Sequence, residues 1–231
     1  FIYVEQETRS CINILEPSGQ STEFLEPGQP VLPEEFLAFK AKLVQLTNEA
    51  EVVTFNGSVP KGISAENYKE LIEETMAAGV PCIVDASGAL LTSCIDALPT
   101  MIKPNTDEIG QLLGREVTTE DEVIKAAQEL HKRGIKIVVV SLGAKGALMV
   151  SDEGTFRANP PKIEAINPVG AGDTLVGSFA VALAQQKPTS ECLTFALSCA
   201  TASCLSAGTG RFDQDVATKI QKQVTIKKIA E

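Results

Sequence analysis

The sequence predicts a three-layer α/β fold, in which a mostly parallel β-sheet carries helices on both faces, together with a small β lid. Short, uniformly apolar runs alternate with stretches of helical spacing after Pro33, which is typical of a parallel sheet that is covered on both sides. Polar or glycine-rich residues follow several of the apolar runs, and such sheets bind ligands at the carboxyl ends of their strands. Before Pro33 the sequence shows short β-like runs instead.

Residues 1–30 are predicted to form part of the β lid and a linker. The runs at 2–4, 11–15 and 22–25 have strand character, and Pro17-Ser18-Gly19 supplies a turn between the last two. The sequence opens in mid-pattern at Phe1, without an initiator methionine or a first βα unit. We therefore expect N-terminal βα units to be missing from this chain.

Residues 31–231 are predicted to form an α/β core. The expected strands lie at 52–55, 82–84, 101–102, 136–140, 146–150 and 155–157, with the last two as an antiparallel pair. Helices are expected at 36–46, 65–78 and 120–132, directly after Lys103-Pro104-Asn105, from Gly172, from Ser190 and at 213–223.

Composition and charge limit the classes of partner. The chain has 231 residues with 44% hydrophobic side chains, which suffices for one sizeable core. Its formal net charge of −10 disfavours nucleic acid, and a phosphate site would need a local set of amides, lysine, arginine and metal. No apolar stretch approaches the length of a membrane span, so no membrane partner is expected.

The cysteines and the only histidine exclude several chemistries. Six cysteines without a CxxC pair predict buried, reduced thiols in a cytoplasmic protein rather than disulfides or a metal cluster. His131 lies at a polar helix end, and a single histidine excludes HExxH-type zinc chemistry and weighs against a histidine-based triad.

The segment 167–174, Asn-Pro-Val-Gly-Ala-Gly-Asp-Thr, precedes an apolar helix. Its glycines allow the amides around Gly170, Ala171 and Gly172 to turn inward at a helix N-terminus, which builds an anion hole. Asp173 can then accept a proton from a hydroxyl while these amides hold a phosphoryl group. From spacing alone, an ordinary aspartate near a helix start with a tight glycine loop explains the segment equally well.

Four segments in order resemble the ribokinase-like sugar kinases, the phosphofructokinase B family. The segments are Gly57-Ser58-Val59-Pro60, Lys103-Pro104-Asn105-Thr106-Asp107-Glu108, Ser141-Leu142-Gly143-Ala144-Lys145-Gly146 and Gly170-Ala171-Gly172-Asp173. The Asn-Pro-Val start of the last segment and Thr8-Arg9-Ser10-Cys11-Ile12 look like the tagatose-6-phosphate kinase and 1-phosphofructokinase branch. The resemblance implies the ribokinase-like fold, with ATP and Mg²⁺ as cofactors and a hydroxyl as phosphoryl acceptor.

Asn105 and Glu108 are the candidate Mg²⁺ residues. The resemblance implies that they organise the ion through water, and their oxygens can face one way at this spacing. A helix N-cap with a capping-box acid fits the same pair and is favoured without the other motifs.

The resemblance implies that the core at 31–231 binds the nucleotide, and it assigns further residues to this ligand. Lys103 would lie near the phosphates, and the turn carrying Ser141, Gly143, Lys145 and Gly146 would contact ATP. The turn is not a P-loop, because a strand follows it rather than a helix. Taken singly, a surface lysine and a hairpin turn are adequate explanations.

Arg9 and Ser58 are the candidate substrate contacts. The resemblance implies that Arg9 in the lid holds the phosphate already on the sugar, and the alternative is a rim residue in a surface strand. Ser58 could hydrogen-bond the substrate or its phosphate. Gly208 would lie in a loop by the adenine or a monovalent-cation site, although a helix C-cap explains it as well. A homodimer through the lid is expected if one lid face is apolar.

The resemblance fails at the N-terminus, where the family has a sugar-binding aspartate and a Gly-Gly or Gly-Lys-Gly-x-Asn element. We therefore expect this chain to bind nucleotide better than sugar and to lack full activity. Two other functions stay open. One is a kinase for an unphosphorylated sugar or nucleoside, and the other is a non-catalytic nucleotide-binding protein on the same fold.

Overall fold

The computed structural model describes residues 1–16 and 20–230. The turn predicted at 17–19 lies outside the described residues. Two strands, β1 (Cys11–Leu15) and β2 (Ser21–Leu25), form an antiparallel two-stranded sheet, which we call the lid. The strand predicted at 2–4 is wrong. Ile2 and Val4 instead line an apolar cavity with Val31.

The main sheet has seven strands in sequence order. They are β3 (Val53–Asn56), β4 (Cys82–Asp85), β5 (Met101–Ile102), β6 (Ile137–Ser141), β7 (Ala147–Ser151), β8 (Gly154–Asn159) and β9 (Thr225–Ala230). The pairings from β3 to β6 are parallel and those from β6 to β9 are antiparallel. The predicted antiparallel pair β7–β8 is confirmed, whereas β9 was not predicted. The sheet is thus mixed, and its parallel half holds the strands whose carboxyl ends carry the motifs.

Eight α-helices in the described part of the chain cover this sheet. They are α1 (Pro33–Thr47), α2 (Ala65–Ala77), α3 (Gly88–Ile95), α4 (Thr106–Leu113), α5 (Glu120–Lys132), α6 (Ala171–Ala184), α7 (Thr189–Ser203) and α8 (Gln214–Gln221). Of these, only α3 was not expected from the sequence.

Two cores lie on opposite faces of the sheet, which confirms the predicted three layers. In β6, Val138 and Val140 join the core beneath α1–α5, whereas Ile137 and Val139 join the core beneath α6 and α7. This alternation follows from the two-residue period of a strand.

All six cysteines are free in the structure. Cys82, Cys94, Cys192 and Cys199 are buried as predicted, whereas Cys204 is half-buried and the prediction of burial is wrong for the exposed Cys11. Over residues 1–16 and 20–230, no helix is long and apolar enough to cross a membrane.

Candidate active site

The carboxyl ends of β3, β4, β5 and β6 bring three of the predicted segments to one edge of the sheet. Asn56 at the end of β3 lies opposite Asp85 at the end of β4, and the Gly57 amide donates to the Asp85 carbonyl at 2.7 Å. Farther along, Asn105 forms a parallel bridge with Ser141. Neighbouring parallel strands thus align residues that are far apart in the sequence.

A buried ion pair occupies the centre of this edge. Lys103 is 7% exposed, and its Nζ lies 3.1 Å from Oδ1 of Asp85. The same Nζ lies 3.7 Å from the position that a Cβ on Gly172 would take. The lysine is therefore not a surface residue: its ammonium group lies beside the first turn of α6.

Asp85 is a site residue that the sequence reasoning missed. Burial raises the pKa of its carboxyl group, the ion pair with Lys103 lowers it, and the nearby carboxylates of Asp173 and Glu108 raise it further. The carboxylates of Asp173 and Glu108 thus lie close enough to Asp85 to act on its charge, and Lys103 is its ion-pair partner. The available signal was an aspartate at the end of an apolar strand, but the order of the strands in the sheet was needed to use it.

The first turn of α6 leaves two amides without an acceptor among the described residues. Gly170 is the N-cap with φ of +80°, and its carbonyl accepts from the Thr174 amide at 2.9 Å. The Ala171 amide donates to the Pro168 carbonyl at 3.2 Å and is therefore occupied. The open donors of this turn are the amides of Gly172 and Asp173, at the positive end of the helix dipole. The amide of the N-cap Gly170 also has no acceptor among the described residues.

A second loop packs against this turn. A Cβ on Gly170 would lie 2.8 Å from Cγ2 of Thr209 and 3.0 Å from the Gly210 nitrogen. Gly208 belongs to the same loop. The alternative that Gly208 caps α7 is wrong, because the C-cap of this helix is Cys204.

The pair Asn105 and Glu108 forms the capping box of α4. Oδ1 of Asn105 accepts from the Glu108 amide and Oε2 of Glu108 accepts from the Asn105 amide, each at 2.8 Å. Oε1 of Glu108 has no protein partner in the described chain. No group of three or more His, Cys, Asp and Glu side chains there could hold a metal. The open carboxylate oxygen of Glu108 fits an ion such as Mg²⁺, which keeps several waters and takes one or two carboxylates besides substrate phosphates.

The segment after β6 is a tight connection to the antiparallel strand β7. Gly143–Lys145 forms one 3₁₀ turn, and the Leu142 amide donates to the Gly146 carbonyl at 2.8 Å. A Cβ on Gly146, whose φ is +98°, would collide with the Ala158 carbonyl oxygen, so only glycine fits there. The hairpin alternative thus describes the local structure, and the Ser141 end of the turn faces Asn105.

Arg9 and Ser58 meet despite a separation of 49 positions. Nη2 of Arg9 donates to Oγ of Ser58 at 2.9 Å, and both residues line a cavity of about 240 Å³. Ser58 follows Gly57, which is bonded to Asp85. The cavity therefore adjoins the edge that carries Lys103.

His131 is structural, as expected. Its Nδ1 donates to the Ile135 carbonyl at 2.8 Å, and its Nε2 lies 3.4 Å from Asp152. Both contacts tie the end of α5 to its neighbours.

Open amides at a helix N-terminus, a lysine beside them and a carboxylate in the same turn are the groups that phosphoryl transfer to a hydroxyl requires. The geometry thus defines the class as a phosphotransferase.

Comparison with known proteins gives the family. Residues 1–215 match the pfkB family carbohydrate kinases. The chain is 34% identical over 229 residues to a tagatose-6-phosphate kinase of Staphylococcus epidermidis, covering 98% of this chain and 74% of that protein. This chain belongs to the pfkB family of carbohydrate kinases, and family membership implies ATP and a divalent metal ion.

Solved structures agree with this assignment. Phosphofructokinase-2 from Escherichia coli in complex with substrates and products has a TM-score of 0.87 and 33% identity, covering 95% of this chain and 72% of that one. The same enzyme in complex with potassium gives a TM-score of 0.85 and 33% identity, with coverages of 92% and 70%. The ribokinase-like fold expected from the sequence is confirmed.

Proposed function

We propose that this chain transfers the γ-phosphoryl group of ATP to a hydroxyl of a phosphorylated ketohexose, either tagatose-6-phosphate or fructose-1-phosphate, and so forms the bisphosphate. The observation that carries the proposal is the first turn of α6, which holds Asp173 and two open amides and lies against the buried Lys103. The similarity to a tagatose-6-phosphate kinase supports this substrate class.

Asp173 is the proposed general base. The sugar hydroxyl oxygen bonds to the γ-phosphorus while the bond to the β,γ-bridging oxygen breaks, and the hydroxyl proton passes to the Asp173 carboxylate. The amides of Gly172 and Asp173 stabilise the negative charge of the transferring group. The turn residues Gly170 and Ala171 shape this anion hole, since Gly170 sets its backbone and the Ala171 amide is bonded to Pro168.

Glu108 and Asn105 are the proposed Mg²⁺ residues. Glu108 would hold the ion through water with the carboxylate oxygen that the capping box leaves open, and Asn105 fixes the orientation of Glu108. When bound, Mg²⁺ neutralises charge on the phosphate oxygens.

The nucleotide is proposed to lie along the edge from Lys103 to the turn after β6, with Ser141, Gly143, Lys145 and Gly146 on one side and Gly208 on the other. The contacts between Asn105 and Ser141, and between Gly170 and Gly210, bring these segments together. A monovalent cation by the Gly208 loop is also proposed, since the related E. coli enzyme binds potassium.

Arg9 and Ser58 are the proposed contacts of the phosphate that the sugar already carries. Arginine can hold two phosphate oxygens at once, and the bond to Ser58 aims its guanidinium at the cavity that both residues line. A neutral sugar would give this arginine no anion to bind, which favours a phosphosugar.

The decisive test is Asp173→Asn in the full-length protein, assayed as ADP production with Mg·ATP. Loss of the base should lower kcat by about 10²–10⁴-fold, while the affinity for ATP, measured by calorimetry, stays close to that of the wild type. Asp215→Asn, also an aspartate in the first turn of a helix but exposed on α8, is the matched control. A loss below tenfold would reject the role of Asp173.

The substrate is settled by a panel of tagatose-6-phosphate, fructose-1-phosphate, fructose-6-phosphate, ribose and adenosine. Selective turnover of one of the first two supports the proposal. Turnover of ribose or adenosine alone would indicate a kinase for unphosphorylated substrates. ATP binding without any turnover would indicate a non-catalytic protein.

A homodimer through the lid is also proposed. Ile12, Ile14 and Phe24 are about half exposed or more on the lid, and a second copy of the same lid could cover them.

A further inference from the structure

Asn167, at the start of the anion-hole segment, uses both ends of its side-chain amide. The residue is only 7% exposed. Its Oδ1 accepts from the Val169 amide at 3.0 Å, and its Nδ2 donates to the Ala207 carbonyl at 3.1 Å. One bond stays within the loop that leads into α6, and the other crosses to the loop that follows α7.

The backbone joins the same two loops at a second point. The amides of Ile166 and Asn167 both donate to the Cys204 carbonyl, at 2.7 and 3.1 Å. Farther on, Gly170 lies against Thr209 and Gly210 so closely that a side chain would collide. Residues 166–170 and 204–210 therefore form a two-layer support beneath the first turn of α6.

We propose that Asn167 is a positioning residue for phosphoryl transfer, because its amide locks the loop after α7 against the loop before α6. The lock fixes the direction in which the open amides and the Asp173 carboxylate point. The inference rests on the proposed function of Asp173. Positioning of this kind matters because a displacement of about 1 Å costs roughly 10²-fold in rate.

The bonding pattern requires asparagine. An aspartate could still accept a hydrogen bond from the Val169 amide. Its second carboxylate oxygen would face the Ala207 carbonyl oxygen, and neither of these two acceptors carries a proton to donate. A serine could accept from the amide two residues ahead, as serines do in turns, but it lacks the second arm that reaches Ala207.

The test uses Asn167→Asp and Asn167→Ser in the full-length protein. Both should lower kcat by about 10–100-fold, while the KM values for ATP and for the phosphosugar stay within about threefold, because Asn167 is buried and both ends of its amide are bonded within the protein. Asn48→Asp is the matched control, since the exposed Asn48 also donates to a backbone carbonyl, that of Val44 at 3.1 Å. It should leave kcat unchanged.

The assays are run well below the melting temperature of each variant, so that the folded fraction does not set the rate. The wild type and all variants are assayed at the same fixed potassium concentration, because a monovalent cation is proposed beside the Gly208 loop. If the Asp variant does not fold, the Ser variant carries the test.

The outcomes separate this inference from the proposed function. Wild-type kcat in the folded Ser variant would overturn the lock, even if Asp173→Asn is inactive. Equal rises in both KM values with unchanged kcat would also overturn it, since they indicate a binding defect. If Asp173→Asn is fully active, the proposed function fails, and with it the proposal that Asn167 positions a catalytic carboxylate.

Discussion

Lys103 carries a positive charge that is almost wholly withdrawn from water, beside the first turn of α6. Its ion pair with Asp85 holds the ammonium group in place before any ligand arrives. A phosphate that enters the anion hole would meet a charge already fixed in direction, which lowers the reorganisation needed on binding.

Lys103→Met keeps the apolar stem and removes the charge. A hydrogen bond to a charged group contributes ~1.5–3 kcal/mol, so the affinity for ATP should fall by about 10–150-fold. Calorimetric titration with Mg·ATP measures the loss. Lys136→Met, which removes an exposed lysine before the opposite end of β6, should leave the affinity unchanged.

The double variant Asp85→Asn with Lys103→Met separates binding from folding. Removal of the lysine alone leaves the half-buried Asp85 carboxylate without its counter-ion, which destabilises the fold. The double variant should therefore regain melting temperature but not ATP affinity. Wild-type affinity in either variant would show that Lys103 does not contact the nucleotide.

The role of a single residue could be predicted from the sequence only where the residue belongs to a family motif. Lys103 was expected near phosphate because of its motif, whereas its burial depends on Asp85 and Gly172, which come from two other segments. Glu108 likewise belongs to a motif but has surroundings that the motif does not specify. Its capping box follows from local spacing, but its place beside Asp85 follows from strand order, which no local pattern contains.

At the level of single elements, the first turn of α5 shows how local chemistry fixes a helix start. Oε2 of Glu122 accepts from the amides of Thr118 and Thr119, each at 2.9 Å. These backbone hydrogen bonds lower the pKa of Glu122 to about 2 from a reference of 4.5. The helix start is therefore bonded best when this carboxylate is ionised.

Glu122→Gln tests this contribution through its pH dependence. Because the folded-state pKa is depressed, the stabilisation is fully present above 4.5 and is lost as the pH falls from 4.5 towards about 2. The wild type should thus melt at a higher temperature than the variant at pH 7, and the gap should narrow below pH 4.5. A difference in melting temperature that does not depend on pH would contradict the role of the ionised Glu122 carboxylate. The control Glu164→Gln, at an exposed loop position, should melt at the wild-type temperature at every pH.

Most elements could be predicted because their periodicity agrees with their burial. The strand β9 could not, because it is an exposed edge strand with Lys227 and Lys228 at its centre and no buried face. Such lysines are common on edge strands, where they discourage further pairing. The run at 2–4 failed for the opposite reason: its apolar residues pack into a cavity without any partner strand.

For the whole molecule, three layers follow from apolar strands alternating with helices, and this was predictable. Beyond β6, the antiparallel pairing of β7 with β8 was predictable. The pairing of β9 with β8 was not, because β9 lies at the far end of the chain. The site is coherent because parallel neighbours align the ends of β3, β4, β5 and β6. Nothing in any one segment specifies that alignment.

The lid exposes several large apolar side chains on one face. Ile12 lies directly opposite Phe24 in the β1–β2 pairing, and Ile14 follows two positions later on the same face. Their exposed fractions are 57%, 58% and 49%. An isolated two-stranded sheet is marginally stable in water, so burial of this face against a second lid would stabilise both.

Ile14→Asp tests the homodimer by placing a charge in the middle of this face. The wild type should sediment as a dimer at micromolar concentrations, and the variant should shift to a monomer because the charge would lose its water on association. Cys11→Asp adds the same charge to the opposite face of β1 and should leave the dimer intact. A wild-type monomer at all concentrations, or a dimer that tolerates Ile14→Asp, would reject the lid as the interface. Because Arg9 lies two residues before β1, loss of the dimer should also raise the KM for the phosphosugar more than the KM for ATP.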